Sequence, residues 1–142
     1  MTAVVFVDTN VLVYAVDASE PVKQTRAMEW MAHLWETRRG RVSIQVLTEF
    51  YATVTRKLKP GLGREEARRE VRYLMPWNPR PVTSEVLESA WVIQDRHGLS
   101  LWDALILASA AESGCRHVLS EALGDGQRFG HLTVVNPFLH KP

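Results

Sequence analysis

With 142 residues, 46% of them hydrophobic and 23% charged, the chain has the make-up of one ordinary globular domain and falls outside the disordered class. A formal net charge of +1 gives no whole-molecule field for nucleic acid, so any pull on phosphate must come from uneven placement of charge. The single cysteine, Cys115, excludes an internal disulfide, and no Cys/His spacing suits zinc.

No apolar run is long enough to span a bilayer, and the opening run from Met1 to Asp8 lacks a basic leader region, so a cytoplasmic protein is expected. No repeat, low-complexity stretch or linker divides residues 1–142, which are read as one domain. Ala3 to Val7 is a continuous apolar run, as in a strand buried on both faces, and it ends at the polar triplet Asp8-Thr9-Asn10. Pro21 to Arg39 has helical spacing at Ala27, Met28, Met31, Leu34 and Trp35, with Pro21 near its start and Gly40 past its end. Arg41 to Ile44 is a short strand. Gln45 to Leu58 is a helix with Leu47, Phe50, Tyr51, Val54 and Leu58 facing inward, stopped at Lys59-Pro60-Gly61.

Gly63 to Met75 is a highly charged helix. The three prolines between Pro76 and Pro81 allow a loop or a short edge strand and forbid a central one. Thr83 to His97 is a helix started by Thr83 or Ser84 and stopped by Gly98. Ser100 to Ser113 is a helix apolar on nearly every side, which predicts deep burial. Cys115 to Leu119 is a strand, Glu121 to Gly130 a polar loop, and Leu132 to Val135 the last strand. Strands alternating with helices predict a single-domain, three-layer α/β/α fold around a mainly parallel central sheet. Ligands of such sheets bind outside the carboxyl ends of the strands, where strand order reverses.

That rule directs attention to acids just past strand ends. Asp8 ends the first strand and is equally suited to capping the following helix. Asp103 lies among Leu101, Trp102, Ala104 and Leu105, where burying a charge is costly without a partner. Ser100 to Asp103 also has capping-box spacing, and one carboxylate can serve both purposes. Glu49 has nothing periodic to distinguish it from a solvated glutamate. Glu121 and Asp125 follow another strand end. A set of acids from separate segments suits a hard divalent cation such as Mg²⁺, which prefers carboxylate oxygen and water. Without metal such acids repel one another, and some should be held protonated to higher pH.

These segments resemble a known family. Val4 to Leu12, Gln45 to Phe50, Leu99 to Ile106, Val118 to Gln127 and Val134 to Phe138 are similar, in that order, to the motifs of PIN domains, and most of all to the VapC-like toxins of toxin–antitoxin pairs. The resemblance implies a PIN-like fold and a Mg²⁺- or Mn²⁺-dependent endoribonuclease. It implies Asp8, Glu49 and Asp103 as metal-binding acids, and Thr9, Asn10 and Ser120 as supporting polar groups. It further implies a homodimer inhibited by a small antitoxin, with RNA as substrate. One departure stands out: where the subgroup often carries an acid after the glutamate of its fourth motif, this chain has Ala122. Glu121 or Asp125 is then the candidate fourth carboxylate, with Glu121 favoured.

Basic residues are unevenly placed. Between Arg56 and Arg72 seven basic residues face three acidic ones, and Arg56, Lys57, Lys59, Arg64 and Arg68 are candidate phosphate contacts. Arg38, Arg39 and Arg41 form a second cluster. Of five tryptophans, Trp35 and Trp91 fit core positions, while Trp30 and Trp77 are candidates for a protein-contacting surface. Two other classes compete. One is a non-catalytic RNA- or protein-binding module whose site is eroded at Ala122. The other is a phosphoacceptor domain, which wants a second acid close to Asp8, where none occurs before Asp17.

Overall fold

The computed structural model describes residues 3–142; Met1 and Thr2, which open the run read for a leader, lie outside the described residues. The first strand, β1 (Val5–Val7), is buried throughout, as its unbroken apolar run requires. A short helix, α1 (Thr9–Ala15), follows at once. Its two turns are too short to display a period in the sequence, although Asp8 is suited to cap it. Next come α2 (Pro21–Thr37), β2 (Gly40–Arg41), α3 (Ile44–Arg56) and α4 (Arg64–Tyr73). A single 3-10 turn at Met75–Trp77 leads to α5 (Ser84–His97) and α6 (Leu101–Glu112). The chain ends with β3 (His117–Leu119), β4 (Arg128–Phe129) and β5 (Leu132–Val135). Serine and threonine caps set the helix starts: Ser43 Oγ accepts from Val46 N–H, Thr83 Oγ1 from Val86 N–H and Ser100 Oγ from Asp103 N–H.

The sheet has the order β2-β1-β3-β5-β4, parallel except for β4, which runs antiparallel to β5. The expected three-layer α/β/α fold is what forms. Strand order reverses between β1 and β3, because the chain leaves β1 toward β2 on one side and returns to β3 on the other. The crevice outside Val7 and Leu119 is therefore the place where a ligand site belongs. No helix among the described residues is long and apolar enough to cross a membrane.

Several expectations shift. The strand expected at Arg41 to Ile44 shrinks to Gly40–Arg41, because Ser43 leaves the sheet to cap α3. The segment around Arg80 does form an edge contact: Ile44 N–H donates to Arg80 C=O at 2.8 Å and Arg80 N–H to Val42 C=O at 3.1 Å. Residues 128–129, expected in a loop, pair with β5 across a turn at Gly130 (φ 62°). Trp91, expected in the core, is exposed on α5, whereas Trp30 is buried and donates from Nε1 to the carbonyls of Pro137 and His140. Helix α6 is buried from Ala104 to Ala110 as expected, but Trp102 in its first turn is 61% exposed.

Candidate active site

The sheet delivers Asp8 to the crevice. It sits at the carboxyl end of β1, is buried, and caps α1: Thr9 N–H donates to Asp8 Oδ1 at 2.7 Å. Capping occupies one oxygen. The other, Oδ2, accepts from Ser120 Oγ at 2.8 Å and Asn10 Nδ2 at 3.0 Å. Ser120 is fully buried at the carboxyl end of β3, so this bond spans the reversal point of the sheet. Asn10 Oδ1 in turn accepts from Glu121 N–H at 3.0 Å, and Ser120 Oγ accepts from Ala122 N–H at 3.1 Å. Thr9, Asn10 and Ser120 are thus brought together around Asp8. The two strand ends are laced by side chains whose spacing in sequence is over a hundred residues.

Helices bring the other two acids. Glu49 projects from α3 one turn after Gln45, and its Oε1 accepts from Gln45 Nε2 at 3.2 Å and from Thr9 Oγ1 at 3.4 Å. Asp103 stands in the first turn of α6, where the positive helix end favours a carboxylate. Its backbone is capped by Ser100, while among the described residues its carboxylate has no hydrogen-bond partner. The reciprocal half of the capping box is not made, which leaves this carboxylate free for the cleft. Asp8, Glu49 and Asp103 all line one cleft of about 400 Å³.

Their electrostatics agree. Burial pushes the Asp8 carboxyl above its ordinary value; the bonds from Ser120, Thr9 and Asn10 oppose this, and the charge of Asp103 adds to it. Burial likewise raises Glu49, helped by the charges of Asp8 and Asp103 and opposed by the Gln45 and Thr9 bonds. The charge of Asp103 thus reaches both Asp8 and Glu49, and that of Asp8 reaches Glu49.

The donor chemistry suits a hard cation: the lining holds four carboxylates, Asp8, Asp17, Glu49 and Asp103, with no thiolate or imidazole, and that of Asp103 is unbonded among the described residues. Among the described residues no three metal-binding side chains stand close enough to grip an ion together. Mutual repulsion between uncompensated carboxylates opposes a tighter grouping, and an ion that retains several waters can bridge the remaining gaps through them.

Other candidates lie elsewhere. Glu121 does not line the cleft; its carboxylate is paired with Lys23 Nζ at 2.7 Å, and Ala122 takes the place in the lining. Asp125 is also outside, accepting from Asn136 N–H at 2.9 Å and facing His140, which together hold its carboxyl below the ordinary range. Arg56, Lys57, Lys59, Arg64 and Arg68 are exposed around the α3–α4 connection, and none lines the cleft. Two cleft residues escaped the sequence reading. Asp17 is buried in the lining and accepts from Ser19 N–H at 3.0 Å. Its signal was the Asp-x-Ser turn before Pro21. Trp102 lines the cleft with an exposed ring; its apolar neighbours in sequence disguised it as core.

Residues 5–121 match the model of the PIN domain, so the chain belongs to the PIN domain family. No protein of curated function matches the sequence. Among solved structures, it is similar to VapC20 of Mycobacterium tuberculosis, a toxin that cleaves the sarcin-ricin loop. That match has 22% identity over 80% of this chain and 86% of the other, with a TM-score of 0.56. It is also similar to VapBC2 of Rickettsia felis, solved with a DNA fragment from its promoter. There identity is 15% over 92% of this chain and 96% of the other, with a TM-score of 0.60. At these identities the likeness speaks for the fold.

Proposed function

We propose that this protein is a Mg²⁺- or Mn²⁺-dependent endoribonuclease, the toxin of a toxin–antitoxin pair, acting in the cytoplasm as a homodimer and restrained by a small antitoxin. One observation carries the reading: Asp8, Glu49 and Asp103, distant in sequence, line a single cleft at the reversal point of the sheet. Membership of the PIN domain family and likeness to two VapC folds support it. The Rickettsia structure contains toxin and antitoxin together, which supports an antitoxin partner here. Exposed Trp91 and Val92 on α5 supply apolar surface for a protein partner.

Asp8, Glu49 and Asp103 would hold the cation, which when bound supplies hydroxide near neutral pH and offsets charge building on the scissile phosphate. The chain's own residues do the positioning. Ser120, Asn10 and Thr9 fix both oxygens of Asp8, while Gln45 orients Glu49. Lys23 already neutralises Glu121, so we give Glu121 no part in the grip. The basic strip from Arg56 to Arg68 lies apart from the cleft, where it adds to the general attraction for phosphate.

The test is incubation of the purified protein with RNA and Mg²⁺ or Mn²⁺. Internal cuts are expected, stopped by a chelator and by Asp103→Asn, whose melting temperature should match the parent's. Absence of cutting with either metal, alongside salt-dependent RNA binding, would establish the non-catalytic reading that Ala122 and the Lys23–Glu121 pair favour. Ser120→Ala should lower cleavage about tenfold, as expected when a residue orienting a metal-binding acid is removed. Ser120→Thr keeps the hydroxyl and should restore part of that loss. An alanine variant as active as the parent would contradict the positioning role.

A further inference from the structure

The acid cleft does not end at the acids. Glu49 and Trp102 line both it and an adjoining apolar groove of about 470 Å³. Pro81 belongs both to that groove and to a third hollow of about 870 Å³, whose charged lining residues are Arg38, Arg41 and Arg80, with no acid among them. Sharing these lining residues, the three depressions adjoin in series as a track. It runs from the acids, past an exposed indole, along the β2 edge to a cluster of arginines.

Local structure holds the arginines there. Arg38 takes the left-handed conformation that ends α2 (φ 57°), and Arg41 lies on β2. Arg80 is hydrogen-bonded through its backbone to Val42 and Ile44, just past the end of β2. Arg41 Nη1 donates to the carbonyls of Arg38 and Gly40, and Arg80 Nη2 to that of Glu112. The Arg41 and Arg80 guanidiniums are each oriented through one nitrogen and keep others free, as suits planar recognition of phosphate. Among the described residues none of the three arginines has a carboxylate partner, whereas Arg68 and Arg72 on the α4 surface share Glu65.

We infer that this track binds a single-stranded stretch of RNA beside the scissile bond, with a base stacked on Trp102 and the following backbone phosphates on Arg80, Arg41 and Arg38. The inference rests on the nuclease reading of the acid cleft and assigns the residues beyond the acids that hold the substrate strand. An exposed aromatic next to the reacting centre offers stacking that any base can use. A duplex keeps its bases inside the helix and cannot offer one. The acid-free arginine hollow is the electrostatic complement to the acidic cleft, so a polyanion is drawn along one path in one register.

Binding of a mixed-sequence single-stranded RNA oligonucleotide, measured by fluorescence anisotropy in chelator over a range of salt, tests the track without requiring cleavage. Trp102→Ala should weaken binding roughly tenfold and Trp102→Phe should largely restore it. The combined Arg38→Gln, Arg41→Gln, Arg80→Gln variant should make the slope of log K against log salt shallower by about 2, the value for three phosphates on a single strand. The corresponding lysine variant keeps the charge but loses the planar fork, and should keep the slope, which a merely structural role for the arginines would not. A duplex of the same sequence should bind more weakly and be indifferent to Trp102→Ala.

The track is overturned if the glutamine variant leaves the slope unaltered while Arg56→Gln, Arg64→Gln, Arg68→Gln lowers it. It is also overturned if the wild-type protein binds no single-stranded RNA, which would leave the groove to a protein segment. Failure of the nuclease reading looks different: binding changes as described, yet the wild-type protein cuts nothing when metal is restored.

Discussion

Asp8→Asn abolishes RNA cleavage, by roughly a thousandfold or more, while the protein stays folded: this is the expected result if Asp8 helps hold the cation, since a metal's stabilisation of a phosphoryl transition state is worth several kcal/mol. The fold should tolerate the change because two effects oppose each other. Asparagine removes a buried charge, which relieves the desolvation that raises the Asp8 carboxyl. It also replaces an acceptor by a donor facing Asn10 Nδ2 and Ser120 Oγ, at 3.0 and 2.8 Å from the present oxygen. The serine hydroxyl can turn to accept, whereas the asparagine amide cannot without flipping away from Glu121 N–H. The melting temperature should therefore stay within a few degrees of the parent's. Cleavage by Asp8→Asn at near-parental rate, in the same buffer and metal, would remove Asp8 from the reaction.

Much of this arrangement was legible in the sequence. Val5–Val7 announced a central strand by its unbroken apolar run, and the polar residue ending it had to lie at the crevice. Ser100 and Thr83 announced helix starts through their side chains. What could not be read was anything decided by tertiary contact. Glu49 has no local mark, because its significance comes from α3 packing on α1 and from the Thr9 hydroxyl reaching it. Trp102 and Trp91 have apolar neighbours that suggest burial, yet α5 and α6 spend their apolar faces on each other at Val86, Ala90, Ala104 and Ala108, and the larger rings are left outside. Glu121 follows a strand end as Ser120 does, but Lys23 of α2, nearly a hundred residues away, takes its charge out of play. Short elements such as α1 and β4 carry too few residues for periodicity to be visible.

The acids that make the site also burden the fold, and this gives a second large effect. Both Asp8 and Glu49 have carboxyls raised above their ordinary values of 3.8 and 4.5. Between those values and the raised ones, the folded chain binds more protons than the unfolded chain, so stability due to these groups falls as pH rises through that window. In metal-free protein, acidification from neutral pH should therefore raise the melting temperature of the parent relative to that of an Asp8→Asn, Glu49→Gln variant. The comparison is needed because Asp125, whose carboxyl is lowered, works in the opposite sense: its contribution is lost as pH falls. At neutral pH, Mn²⁺ at a hundred times its dissociation constant should stabilise the parent by about 2.7 kcal/mol, roughly 10 °C in melting temperature, and leave the double variant unmoved. The metal effect should fade on acidification, since protons and the cation compete for the same oxygens. A parent protein whose melting is indifferent to Mn²⁺ at neutral pH would mean that the three acids repel one another to no purpose, and the cleft would have to be explained without a cation.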